Sequence, residues 1–375
     1  MGVDEDVVQW RRHLHRHPEV SFSEHETSAW VAERLAGFGL AVERPTETSV
    51  LARLETGRPG PTVALRADID ALPIHEESGV EFASERPGAM HACGHDGHTA
   101  MLLGAASQLA AADLPGGELR FIFQHAEELA PGGAREMVAA GVMEGVEFVY
   151  GCHLWTPLEL GQVAAVPGPF MAAADFFTLT IRGRGGHAGL PHTAVDTIAC
   201  AAELVGSLQH IVSRRLDPLQ PAVVTIGSLH AGDAPNVIPG EAVLTGTTRS
   251  FAPDVRERIP VLIDEIARGV CAAHGAEHEL DFRFGYKPVV NEQRATELVR
   301  EAVGEQLVDI DPIMGGDDFS AYLAEAPGCY AFIGAGGEYP HHHPRFRIDE
   351  RALATGTRLH VQVALRALEG IHEAI

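Results

Sequence analysis

His91-Ala92-Cys93-Gly94-His95-Asp96-Gly97-His98 packs three imidazoles, a thiol and a carboxylate into eight residues. Neutral imidazole nitrogen and thiolate are the side-chain donors that hold borderline-soft divalent cations most tightly. A second group, Glu127-Glu128, follows an apolar run. Neighbouring side chains in an extended segment point different ways, so the two carboxylates divide the work: one binds metal, the other faces the reacting water as general base. His341-His342-His343-Pro344 is a distant second source of imidazole, and spacing alone does not choose among its three histidines. In Gly185-Gly186-His187-Ala188-Gly189 the glycines let the backbone turn past a strand and carry His187 outward.

These groups need a scaffold, and the periodicity supplies one. A helix is expected from about Asp4 to His17, stopped by Pro18, and a second opens on a Ser23–Glu26 capping box and ends near Gly37 or Gly39. Thr62 to Asp68 reads as an apolar strand ending on a carboxylate. Helix 99–112, strand Glu118 to Gln124, helix 133–140 and strand Phe148 to His153 follow. Apolar strands alternating with helices imply a parallel sheet covered on both faces. Asp68 and Asp70, Glu127 and Glu128, and His153 then fall at carboxyl ends of strands, where open α/β sheets bind ligands. The Cys93–His95 loop precedes its helix in the same sense.

The middle of the chain changes character. Strand Phe176 to Arg182, helix Asp196 to Arg214, strands Ala222 to Leu229 and Ala242 to Thr248, helix Pro253 to His274 and strand Glu279 to Phe284 make a ferredoxin-like βαββαβ order. The expected organisation is a mostly parallel α/β catalytic domain, residues 1–172 plus 285–375, with a lid and dimerisation domain inserted over 173–284. Cys329 to Gly334 returns to the first sheet as a strand, and a long helix follows Asp349.

With 28 Lys+Arg against 52 Asp+Glu, the net charge of −24 and the lack of a basic stripe exclude a phosphate-backbone partner such as nucleic acid. No apolar run approaches the ~18 residues of a membrane span. The acidic start Met1-Gly2-Val3-Asp4-Glu5-Asp6 does not read as a secretory signal. Five dispersed cysteines (93, 152, 200, 271 and 329) read as reduced thiols, so a cytoplasmic location is expected.

The motifs also carry a resemblance. His15-Arg16-His17-Pro18-Glu19 with Ser23 to Thr27, Arg66-Ala67-Asp68-Ile69-Asp70-Ala71-Leu72-Pro73 and Met90 to His98 resemble the M20 metallopeptidase superfamily. So do Gly186-His187-Ala188 with Pro191-His192, Pro235-Asn236-Val237-Ile238-Pro239 and Gly246-Thr247-Thr248-Arg249. Within the superfamily they are similar to the amidohydrolases acting on N-acyl amino acids, hippurate and indoleacetyl amino acids. Carried over position by position, the resemblance implies metal ligands at Cys93, His95, Glu128, His153 and His342 for two divalent ions, with Zn, Mn, Ni and Co all admissible. His342 is chosen by the family's His-x-Pro-x-Phe pattern, matched by His342-His343-Pro344-Arg345-Phe346.

Glu127 takes the general-base position, His187 the oxyanion and substrate contact, and Asn236 and Arg249 the substrate carboxylate. Asp68 is expected to orient a ligand through a hydrogen bond, because metal-binding imidazoles need such a partner. His98 is either a third local ligand or a histidine packed under the site. The implied reaction is hydrolysis of an N-acyl amino acid to a carboxylic acid and a free amino acid. A dipeptidase or aminopeptidase of the same superfamily, and a catalytically silent metal- or ligand-binding relative, are the alternatives. Cys93-x-His95 and Arg66-Ala67-Asp68 favour the acyl-amino-acid branch, because many M20 peptidases carry His-x-Asp at the latter position. A homodimer through the lid's exposed sheet edge is a further expectation. Two positions depart from the family pattern: His125 replaces a usual proline, and Asp317 a usual glutamate.

Overall fold

A computed structural model of the chain describes residues 3–374. Two helices, α1 (Val3–Arg16) and α2 (His25–Gly37), precede strands β1 (Ala41–Glu43), β2 (Val50–Glu55) and β3 (Thr62–Asp68). Helix α3 (His95–Ala110), β4 (Glu118–Gln124), α4 (Gly133–Ala139) and β5 (Phe148–Trp155) complete the first stretch. The inserted part runs β6 (Ala173–Arg182), α5 (Thr197–Leu208), β7 (Ala222–His230), β8 (Glu241–Ser250), α6 (Pro253–His274) and β9 (Glu277–Tyr286). Then α7 (Gln293–Val303), β10 (Gly328–Gly334) and α8 (Ala352–Ala374) return to the first part.

The first sheet has the order β1-β2-β4-β3-β5-β10, continued by the short strands Val163–Ala164 and Leu307–Val308. Its centre is parallel: β3 pairs with β4 and β5, and β5 with β10. Past their first residues β3 and β4 are buried throughout, which is why they read as apolar runs without alternation. Register sets Asp68 beside Gln124 and His153 beside Phe332, so the chemical groups emerge from one edge of the parallel strands. The edge made by β1 and β2 is antiparallel. Sequence periodicity passes over these two strands, the first short and the second ending on polar residues.

Helix α3 is buried on nearly every side, from His95 through Ala106. Its small residues allow that. At Gly104 a Cβ would lie 2.5 Å from Val7 Cγ2 and 3.0 Å from Thr357 Cγ2, so glycine lets α1, α3 and α8 approach closely. The helix begins at His95, earlier than the apolar periodicity from 99 implies. Gly94 stands before it with φ 91°, a left-handed conformation that glycine adopts without a Cβ penalty. The capping box at Ser23 does not form: Glu19 takes the N–H groups of Thr27 (2.7 Å) and Glu26 (3.3 Å) at the start of α2.

Two compact units result. One comprises the chain up to Phe170, Val289–Asp311 and the chain from Asp318 on; the other is Met171–Pro288 with Pro312–Asp317. The short returning segment joins the second unit because Ala172 N–H donates to the carbonyls of Ile313 and Gly315 (3.1 and 2.8 Å). In this unit the sheet order is β7-β8-β6-β9, antiparallel throughout, the arrangement of a ferredoxin-like fold. Cys200, Leu204 and Leu208 of α5 and Ile259, Leu262 and Ile263 of α6 bury one face with Leu179, Ile181 and Leu244. Asp196 caps α5 by accepting from Ile198 and Ala199 N–H. The helix ends at Leu208, and 211–215 form a separate, wider turn where the periodicity suggested continuation. All five cysteines are free thiols. Among the described residues no helix is long and apolar enough to cross a membrane.

Candidate metal centre

Four chain segments of the first unit bring their donors together: the loop entering α3, the turn after β4, the end of β5 and the loop at 341–343. Cys93, His95 and His153 present ligand atoms all within 4.8 Å of one another. Cys93, Glu128 and His342 do the same, as do His95, Glu127 and Glu128. Cys93 Sγ is 3.4 Å from His153 Nε2, and Glu128 Oε1 is 3.3 Å from His342 Nε2. Donors about 2.0–2.3 Å from one tetrahedral ion stand at such separations.

Hydrogen bonds on the far side of each ring fix which nitrogen faces the cluster. His95 Nδ1–H donates to Asp70, at 3.0 Å to its backbone carbonyl and 3.1 Å to Oδ1. His153 Nδ1–H donates to the Leu154 carbonyl at 2.7 Å. Both therefore turn an Nε2 lone pair inward. His98 differs. Its Nδ1–H donates to Asp68 Oδ1 (2.6 Å) while its Nε2 accepts the Leu154 N–H (2.9 Å), so both nitrogens are engaged by the protein. His91 is buried with neither ring nitrogen hydrogen-bonded. Among the three consecutive histidines, His341 stacks on Trp155 (centroids 4.7 Å apart) and His343 on Tyr339, also at 4.7 Å. His342, at φ 66° with its N–H on the Ala92 carbonyl, points to Glu128.

The donor set fits divalent cations. His95 Nε2 and Glu128 Oε1 are buried without a hydrogen-bonding partner, a costly arrangement unless a cation takes the lone pairs. Burial pushes the Cys93 thiol well above its ordinary range, and Glu128, Glu127 and Asp68 push it further. Burial works to lower His95, but Asp68, Asp70 and Glu128 overcome it and raise its pKa to about 10. A site that holds a proton this firmly is strongly negative. By contrast burial, with His98 and His341 beside it, keeps His153 neutral far below its usual range.

Asp68 meets His98 and, at 2.7 Å, the buried Arg66 guanidinium, while the imidazole of His95 is steered by Asp70. Sequence reading placed both Asp68 and Asp70 at the strand end but gave the orienting role to Asp68 alone. The signal was present, since residues two apart share a face, but nothing in it ranks one carboxylate over the other. Asp70 also accepts the Glu128 N–H (3.0 Å) and the Ser21 hydroxyl (2.7 Å), so one side chain ties two candidate ligands together. Asp70→Ala is expected to weaken metal retention by about 10–100-fold, read by competition with a chelator, with the circular dichroism unchanged. Native retention would show that His95 and Glu128 hold their positions without it.

The second unit carries the remaining expected residues. His187 is exposed in a two-residue ladder opposite Val237, and its Nδ1 accepts the Gly189 N–H at 3.0 Å, which leaves the hydrogen on Nε2. Asn236 is exposed and its carbonyl accepts the Ala188 N–H (3.1 Å). Arg249 is half-buried and donates to the Thr247 hydroxyl and the Thr248 carbonyl.

A ring of thiol, imidazole and carboxylate donors at the ends of parallel strands, buried except for half-buried Glu128 and exposed His342, is accompanied by a match of residues 64–366 to Peptidase family M20/M25/M40. The chain belongs to this family. It is 56% identical over 293 residues to an N-acyl-L-amino acid amidohydrolase of Geobacillus stearothermophilus, covering 77% of this chain and 79% of the relative. An N-acetyl-L-cysteine deacetylase of Bacillus subtilis is 40% identical, over 99% of this chain and 90% of its own. Among solved structures, a Bacillus subtilis protein described as a dinuclear metal binding peptidase from the M20 family superposes with a TM-score of 0.86 at 36% identity, over 98% and 99% of the two chains. The α/β architecture of this M20 member agrees with the fold class expected from its strand and helix pattern.

Proposed function

We propose that this M20 member is a metal-dependent amidohydrolase that cleaves N-acyl amino acids to a carboxylic acid and a free amino acid. The observation that carries the reading is the ring of Cys93, His95, His153, Glu128 and His342, with the buried Glu127 beside it and two orphaned lone pairs inside it. These five side chains are assigned to two divalent cations, drawn from Zn, Mn, Ni and Co. When bound, such ions polarise an amide carbonyl and lower the pKa of water. Glu127 is assigned the proton of the attacking water. The water oxygen adds to the carbonyl carbon, the C–N bond breaks, and Glu127 returns the proton to the departing amine.

Support for a role of His187 comes from its tautomer. The Nε2–H left by the Gly189 contact is a donor suited to the charge developing on the carbonyl oxygen. Asn236 and Arg249 are assigned to the substrate carboxylate, for which a guanidinium is well shaped. Pairing of two copies through the second unit and a cytoplasmic location belong to the same proposal.

The test uses metal-stripped protein reconstituted with each of the four cations and offered N-acetyl and N-benzoyl amino acids beside dipeptides with a free amine. Acyl amino acids are expected to be preferred in kcat/KM by about 10²-fold or more. A preference for dipeptides would make the chain a peptidase, and failure on both with full metal content would make it a binding protein.

A further inference from the structure

The turn that carries Glu127 and Glu128 hinges on an alanine in a conformation that alanine rarely adopts. Ala126 has φ 49°, in the left-handed region where a Cβ crowds the backbone. Its peptide groups are gripped on both sides. Ala126 C=O accepts the Gly133 N–H at 3.0 Å, and Ala126 N–H donates to Glu24 Oε1 at 2.7 Å. Gly133 reaches that position because it has no side chain: a Cβ there would lie 2.0 Å from the His125 carbonyl oxygen.

Glu24 lies 102 positions earlier in the chain, immediately before α2, and is wholly buried. The start of α2 makes no use of its side chain, because Glu19 takes the N–H groups there. The second carboxyl oxygen, Oε2, is buried without a hydrogen-bonding partner. Burial, and then the charge of Asp70, push the Glu24 carboxyl up to about 7. An apolar side chain would fill this space at less cost. What Glu24 adds is an acceptor for the Ala126 N–H, alongside a hydrogen bond with the Thr48 side chain. On the other side of Glu127, the Glu128 N–H is held by Asp70 at 3.0 Å. Two buried carboxylates thus fasten the backbone on both sides of the residue assigned as the base.

We propose that Glu24 is a positioning residue for this reaction: its carboxyl oxygen pins the left-handed turn at Ala126 and so sets the direction in which Glu127 leaves the loop, apart from Glu128. This inference rests on Glu127 being the general base. Without the acceptor, Ala126 relaxes toward ordinary backbone and Glu127 swings with it, while the cation donors keep their own supports on Asp70 and Leu154.

The experiment compares Glu24→Leu, Glu24→Gln and Glu24→Leu/Ala126→Gly as metal-loaded proteins. Glu24→Leu is expected to lower kcat by about 10–100-fold, the scale of an ångström-level misplacement, with KM within about twofold and metal per chain unchanged. Glu24→Gln keeps an oxygen for the Ala126 N–H and is expected within about threefold of native kcat. Glycine at 126 takes positive φ freely, so the double variant is expected to recover part of the loss. Should Glu24→Leu fail to fold, Glu24→Asp withdraws the oxygen by a methylene and is expected to lower kcat about tenfold at full metal content. Native kcat in Glu24→Leu or Glu24→Asp, loss of metal in place of rate, or a glutamine variant no better than leucine would overturn the proposal. Glu127→Gln is run alongside. If it stays active, the base assignment fails and this inference falls with it; if it is inactive while Glu24→Leu turns over normally, only the role of Glu24 fails.

Discussion

Glu127→Gln is expected to lower kcat by about 10²–10⁴-fold and to leave metal content at the native level. The substitution keeps the size and buried position of the side chain but removes its ability to take a proton. The two adjacent glutamates have separate surroundings. Glu128 Oε1 lies 3.3 Å from His342 Nε2 and 3.8 Å from His95 Nε2, with its backbone tied to Asp70, so it is built into the donor ring. Glu127 is buried close to His95 and Glu128 but outside the triads that contain Cys93. A lost base should also remove the acid limb of the pH profile of kcat/KM, which reports the free enzyme's essential base. Elemental analysis and that profile together decide the matter. Metal loss would make Glu127 a ligand, and an unchanged profile would leave the reaction without an identified base.

The parallel strands were legible because burial on both faces leaves an uninterrupted apolar run, and β3 and β4 have the same ends in sequence and in structure. What escaped reading depends on backbone conformation. The start of α3 was displaced because its first turn consists of His95, Asp96, Gly97 and His98, buried but not apolar, after a left-handed Gly94. Nothing in three consecutive histidines shows that the middle one takes φ 66° and faces Glu128 while its neighbours stack on Trp155 and Tyr339. Likewise Ser23 with Glu26 has the form of a capping box, yet Glu19 is better placed to take the N–H groups, which leaves Glu24 to reach Ala126. Asp68 and Asp70 were equivalent as letters. They separate only when Arg66 and His98 claim one and His95 claims the other. Residue types thus showed which chemistry was assembled, whereas the supports of each donor depended on contacts between distant segments.

Cys93→Ala is expected to leave less than one tightly held cation per chain and to reduce turnover about 10³-fold or more, whereas His342→Ala should lose a single cation. Cys93 belongs to the triad with His95 and His153 and also to that with Glu128 and His342, so in the proposed assignment its loss would weaken both positions. Removing several kcal/mol of Lewis-acid stabilisation corresponds to a rate loss of this size. The electrostatics add a sharper test. Only the thiolate ligates, and burial together with Glu128, Glu127 and Asp68 holds the Cys93 thiol protonated. Cation uptake at pH 7 must therefore displace the thiol proton, and affinity must rise with pH. Cys93→Asp supplies a carboxylate whose ordinary pKa lies far below neutrality. It is expected to restore cation binding with about one proton fewer released than in the native protein, which titration calorimetry in buffers of different ionisation enthalpy measures directly. Equal proton release from the native protein and Cys93→Asp would mean that the sulfur does not act as a thiolate ligand.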